Sequence, residues 1–229
     1  MFAQETGVVI NGVTWATRNV GAPNTFANNP EDIGMYYQWN SKIGWTAEGV
    51  PSDETSIWNS AWNGNGAATW QTVNNPCPEG WHVPTVENLQ SLLNTEWVSQ
   101  IEPVKGTTFG DGDNTIFLPE YGILMEDNGS FGYSQSCYWS NSLQEGMVRH
   151  LTIQPSYNAA FLYNSSPAYG YSIRCVKDGG IGINEVSTDT ENATVTGYFD
   201  ILGRKLNEEP KQGIYIILYD NGKTKKVVK

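Results

Sequence analysis

The stretch that most constrains this chain is residues 76–93, Pro-Cys-Pro-Glu-Gly-Trp-His-Val-Pro-Thr followed by Val-Glu-Asn-Leu-Gln-Ser-Leu-Leu. Pro76, Pro78 and Pro84 hold the approach extended, because each ring fixes its own φ and restricts the residue before it. Gly80 supplies the one point where the backbone can take a positive φ. Thr85 is placed to cap a helix, its hydroxyl accepting from a backbone N–H two or three residues on. Asn88 stands where Glu or Gln would complete a reciprocal capping box. Val86, Leu89, Leu93 and Trp97 follow at spacings of three, four and four, which puts them on one helical face. No other stretch argues as clearly for a helix.

The remainder is punctuated like a set of short strands. Val8-Val9-Ile10, then Asn11-Gly12, then Val13-Thr14-Trp15-Ala16 predicts a hairpin on a type I′ turn. Residues 19–33 read as loop, and residues 35–39 as strand or short helix, which periodicity does not decide. Residues 105–114 show no apolar period and read as loop. Short strands are expected at residues 115–119, 121–125, 137–140, 148–153, 159–163 and 171–176, with 137–140 central and 126–129 a turn. Their short connections require antiparallel pairing, since parallel neighbours need a long crossover.

Charge bounds the partners. Residues 1–178 hold six Lys and Arg against seventeen Asp and Glu, whereas residues 179–229 hold seven of each, so the net charge of −11 resides in the first part. An acidic body of this kind argues against nucleic acid, whose phosphates need clustered cations. No run of apolar residues is long enough for a membrane span. Composition changes at Asp178-Gly179-Gly180-Ile181-Gly182, which predicts a main domain over 1–178, a linker over 179–195 and a small β domain of three strands over 196–229. Met1-Phe2-Ala3-Gln4 is too short for a signal peptide, although Phe-Ala-Gln reads like the end of a cleaved one.

The motif at residues 77–85 has company. Residues 11–20 (Asn-Gly-Val-Thr-Trp-Ala-Thr-Arg-Asn-Val), 34–39 (Gly-Met-Tyr-Tyr-Gln-Trp), 138–141 (Tyr-Trp-Ser-Asn) and 172–178 (Ser-Ile-Arg-Cys-Val-Lys-Asp) complete an ordered set. Together they resemble the Fibrobacter succinogenes major paralogous domain family. That resemblance implies an α+β, C-type-lectin-like domain with small antiparallel sheets, one main helix and long loops, on a secreted or cell-surface protein. It implies little about a reaction. The three cysteines, Cys77, Cys137 and Cys175, leave at least one thiol unpaired. On residue content alone, three buried reduced thiols are equally admissible; the resemblance implies a disulfide between Cys77 and Cys175. Tyr198, Gly203-Arg204-Lys205, Gly213-Ile214-Tyr215-Ile216 and the closing Lys225-Lys226-Val227-Val228-Lys229 resemble a short C-terminal sorting domain of type IX secretion substrates in Bacteroidetes. This implies export, with the secretion machinery as a partner; a small accessory β module is the alternative.

Two stretches are candidates for binding. Trp45, Trp58, Trp62 and Trp70 are spread through residues 40–75 among Gly, Asn, Ser and Thr. Exposed rings there would stack on sugars, so Trp45, Trp58 and Trp62 are candidate glycan contacts. The competing expectation is a loop folded around its own tryptophans, because Trp is highly buried on average. Asp111, Asp113 and Asn114 offer oxygen ligands of the kind calcium takes, at about the place where lectin-like domains hold it, and a solvated turn explains them equally. Catalysis has less to stand on. His82 and His150 are the only histidines, neither lies in a nucleophile motif, and the cysteines and histidines lack zinc-ligand spacing. The expectation is a non-catalytic binding module, an adhesin or glycan binder, with a structural component of a surface assembly as the alternative and a hydrolase the least supported.

Overall fold

The computed structural model describes residues 5–132, 135–177, 194–200, 204–211, 214–220 and 224–228. The chain divides into two compact units, residues 1–179 and 180–229. The expected leader remnant at residues 1–4, the boundary at 178–182 and residues 179–193 of the expected linker lie outside the described residues.

The first unit runs β1 (Val8–Ile10), β2 (Val13–Trp15), β3 (Tyr36–Tyr37), β4 (Gly44–Trp45), β5 (Trp81–His82), α1 (Val86–Leu93), β6 (Trp97–Gln100), β7 (Gly106–Asp111) and β8 (Asn114–Pro119). It continues through β9 (Ile123–Leu124), β10 (Phe131–Gly132), β11 (Ser136–Gln144), β12 (Met147–Gln154), β13 (Ala159–Ser165) and β14 (Val176–Lys177). The strands form separate sheets, ordered β1-β2-β14-β5, β6-β7-β8 and β11-β12-β13, with the pairs β3-β4 and β9-β10. This corrects the α+β, C-type-lectin-like expectation. The structure is 9% helical and 41% strand, in several small antiparallel sheets with no closed barrel, and is not matched to a C-type-lectin fold.

Local chemistry explains most elements. The β1–β2 turn has Asn11 at φ 48° and Gly12 at φ 78°, the pair of positive values a type I′ turn needs. Helix α1 opens on a closed capping box, in which Thr85 Oγ1 accepts from Asn88 N at 3.1 Å and Asn88 Oδ1 accepts from Thr85 N at 2.9 Å. The shorter amide thus does what Glu or Gln would do. Leu89 and Leu92 are the fully buried helix residues. Trp97 does not extend the helical face as expected, because the helix ends at Leu93 and Trp97 begins β6.

Two further expectations are corrected. Residues 105–114 are not a loop: β7 and β8 pair through a two-residue turn with Gly112 at φ 55°. Residues 137–140 lie in β11, which flanks its sheet, while β12 is the middle strand. Residues 137–139 are nonetheless bonded on both sides, since Trp139 N donates to Ser172 O at 3.1 Å and Ser172 N to Cys137 O at 3.0 Å.

The five motif segments converge on one interior. Ala16 N donates to Cys175 O (2.9 Å), Val20 N to Ile173 O (3.0 Å) and Asn141 N to Pro84 O (2.8 Å). Trp39 Nε1 donates to Ser140 O at 2.9 Å and Trp139 Nε1 to Tyr37 O at 2.7 Å. Arg174 is buried, and its guanidinium donates to Asn19 Oδ1 (2.8 Å), Ala16 O (3.2 Å) and Phe117 O (2.9 Å). Without those oxygens a buried cation would be prohibitively costly. Burial still pulls its pKa down to about 10. Cys77 and Cys175 form a disulfide inside this cluster, and Cys137 is a buried free thiol of the same cluster.

The second unit is one antiparallel sheet among the described residues, ordered β16 (Lys205–Leu206), β15 (Val195–Asp200), β17 (Ile214–Tyr219), β18 (Thr224–Val228). Four strands replace the expected three, because Asp200 and Arg204 turn the chain back. Asp200 N donates to Arg204 O at 2.9 Å and Arg204 Nε to Asp200 Oδ2 at 2.6 Å. Tyr215 is its buried ring.

The bridge joins residues 98 apart in sequence. Replacing both partners (Cys77→Ala with Cys175→Ala) is expected to lower the unfolding free energy by roughly 4–5 kcal/mol through the freer unfolded chain. Urea melts of the two proteins measure this, and a change below about 1 kcal/mol would contradict it.

Candidate functional site

The tryptophan-rich loop folds inward. Trp45 is buried and meets Trp58 edge-on with ring centroids 5.3 Å apart. Trp58 Nε1 donates to Glu126 O at 3.0 Å, and Gly129 and Gly170 lie so close to the indole that a Cβ at either would press on the ring. Trp62 is half-buried and donates from Nε1 to Trp39 O at 2.6 Å. Trp45, Trp58 and Trp62 thus organise the loop around the core of the unit. The candidate calcium ligands sit elsewhere: Asp111, Asp113 and Asn114 are exposed at the β7–β8 hairpin tip, where Asp111 pairs with Asn114 across the turn. Among the described residues, no group of three or more His, Cys, Asp or Glu side chains converges as a metal site.

A concavity lies at the rigid approach to α1. A cleft of ≈ 860 Å³ is lined by Asn24, Lys42, Trp70, Glu79, Trp81 and Asn141, among others. A second, of ≈ 600 Å³, shares Asn24, Pro78, Glu79 and Trp81 with it and adds Arg18, Phe26 and Lys177. The wall between them is built from the sequence upward. Asn75 accepts at Oδ1 from Cys77 N (3.2 Å) and donates from Nδ2 to Trp81 O (2.7 Å). Gly80 turns the chain at φ 77°, and β5 pairs Trp81 with Lys177 and His82 with Val176. The disulfide anchors the base of the wall.

Aromatic and charged groups interleave there. Phe26 meets Trp81 edge-on at 5.5 Å, Arg18 lies 5.5 Å from the Phe26 centroid, and Lys177 Nζ lies 5.8 Å from a Trp81 centroid. Such cation–aromatic contacts hold a cation in place without a carboxylate. Arg18 has one as well: its Nε is 3.0 Å from Glu5 Oε2. Burial would raise the Glu5 pKa, but the hydrogen bonds from Arg18, Thr17 and Gly7 together prevail and lower it.

A separate polar group is sealed in the core. His150 Nδ1 lies 3.3 Å from Ser165 Oγ and 3.4 Å from Val148 O, and Ser165 Oγ is 2.7 Å from Tyr171 OH. Trp139, Tyr163 and Tyr171 surround the imidazole. Burial pushes its pKa down to about 4, against a smaller upward pull from the Val148 carbonyl. Cys137 Sγ is 3.6 Å from Thr152 Oγ1, and burial pushes that thiol up to about 12. The imidazole and thiol are therefore neutral packing groups.

Sequence reasoning missed the cleft. Asn24, Lys42, Trp70, Glu79 and Asn141 come from separate segments and carry no shared spacing; the one available signal was the proline-flanked Gly80-Trp81, which had to face something. No family model matches the chain, and no curated protein or solved structure matches it either.

The buried imidazole makes stability depend on acid. Below pH 6.5 the unfolded chain binds a proton that folded His150 refuses, so stability falls as pH falls from 6.5 towards about 4 and this contribution levels off below that. The loss is on the order of 3 kcal/mol. In His150→Gln, denaturant melts between pH 7 and 4.5 should lose this part of the slope; an unchanged slope would refute the assignment.

Proposed function

We propose that the chain is a secreted or cell-surface, non-catalytic binding module whose ligand is a glycan. The observation that carries this reading is the pair of adjoining clefts around Trp81, where indole and phenyl rings stand beside the amides of Asn24 and Asn141. Rings that accept a sugar's apolar face, with amides for its hydroxyls, are the chemistry a saccharide uses. The Cys77–Cys175 disulfide supports a place outside the cytoplasm, since such bonds persist in oxidising compartments. In this reading Trp45, Trp58 and Trp62 support the loop that carries Trp70 to the cleft. The same proposal includes kinship with the Fibrobacter succinogenes major paralogous domain family, and export through the C-terminal unit.

One observation favours the alternative, a structural part of a surface assembly. Strand β13 contains no charged residue, pairs only with β12 among the described residues, and leaves Phe161 39% and Tyr163 64% exposed. A neutral edge strand of this kind suits addition of another strand.

A glycan array separates the two. Binding that is lost in Trp70→Ala, and in Thr72→Arg at an exposed position of the cleft wall, supports the glycan module. Silence on the array, together with assembly that depends on Phe161 and Tyr163, supports the structural role.

A further inference from the structure

Charge in the first unit is segregated. Of its six basic side chains, Arg174 is buried in the core, Lys105 lies 3.0 Å from Glu120, and Arg149 lines a groove beside α1. The other three, Arg18, Lys42 and Lys177, all line the two clefts around Trp81. Among the described residues, the acidic side chains that line them are Glu5 and Glu79. Glu5 is spent on Arg18. Neither Lys42 nor Lys177 makes an ion pair among the described residues, and both are exposed. Among the described residues three cations stand against two anions in these clefts, in a stretch, residues 1–178, where acidic residues outnumber basic ones by seventeen to six.

The local sign outweighs the distant one. At physiological ionic strength charges more than about 8 Å apart are largely screened. A ligand in the clefts therefore senses two ammonium groups and Glu79 more than the acidic remainder. Lys177 is held over the Trp81 ring, so its charge stands beside the surface on which a sugar would pack. A neutral sugar has no use for an exposed ammonium group in each of two adjoining clefts, whereas an acidic sugar does.

We propose that the ligand is an anionic saccharide, one bearing carboxylate or sulfate groups, with its acid groups drawn to Lys42 and Lys177, which line the two adjoining clefts. This rests on reading the clefts as a glycan site. The acidic surface elsewhere restricts binding to chains that can offer their acid groups to the lysines of these clefts, and deters polyanions that need a long basic track.

Calorimetric titration tests this with three probes: an oligogalacturonate for carboxylate, a chondroitin sulfate oligosaccharide for sulfate ester, and a cello-oligosaccharide as the neutral arm. At low salt at least one anionic probe should bind at least tenfold more tightly than the neutral one, and high salt should remove most of that advantage. Lys42→Gln with Lys177→Gln should abolish the preference, while Lys42→Arg with Lys177→Arg retains it; near-UV circular dichroism checks that each variant is folded. If the anionic probe binds regardless of these lysines, the proposal fails. If all three probes bind alike, with Trp70→Ala abolishing binding, the glycan site stands and the anionic preference is wrong. If no saccharide binds, both readings fall.

Discussion

Two indole N–H groups close the centre of the first unit. Trp39 donates to Ser140 O, and Trp139 donates back to Tyr37 O. Strand β3 is two residues long, and besides its pairing with β4 it exchanges backbone hydrogen bonds between Tyr37 and Tyr171. The reciprocal pair makes two large rings fill the interior while each buried N–H finds an acceptor. An indole left without one would cost free energy instead of contributing it. The disulfide and the Arg174 guanidinium work on the same principle, tying distant backbone segments together where regular structure is sparse.

Local signals were legible wherever chemistry was local. Asn11-Gly12 dictated its hairpin, and Thr85 with Asn88 dictated the start of α1. The signals failed where long-range packing chose the residue. Gly106 weakens any strand reading of residues 105–114, yet a Cβ there would collide with the Phe117 ring and the Leu118 carbonyl, so the strand requires the glycine. Trp97 continued a helical spacing, but its ring packs against Phe109 from β6. The α+β expectation came from a resemblance, and one eight-residue helix among many short strands did not sustain it.

The tryptophan-rich loop shows why composition is a poor guide to where a chain forms a concave surface. Its rings were candidates because they are many and lack period. In the structure they compensate for missing aliphatics: Trp58 is wedged against Gly129 and Gly170, and Trp62 is tied to Trp39. The concave surface formed where three other features met, namely the proline-stiffened approach, the Phe26–Trp81 contact and the far end of the loop at Trp70. None of these marks a site alone; their meeting depends on the backbone path the disulfide secures.

Cys137 adds a practical consequence. It is the one cysteine outside the bridge, it is fully enclosed, and its thiol is held protonated. A thiol-reactive dye added to the native protein therefore has nothing to label until the interior opens. The rate of labelling would then act as an intrinsic stopwatch for breathing of the unit, reporting its rare excursions without an engineered probe.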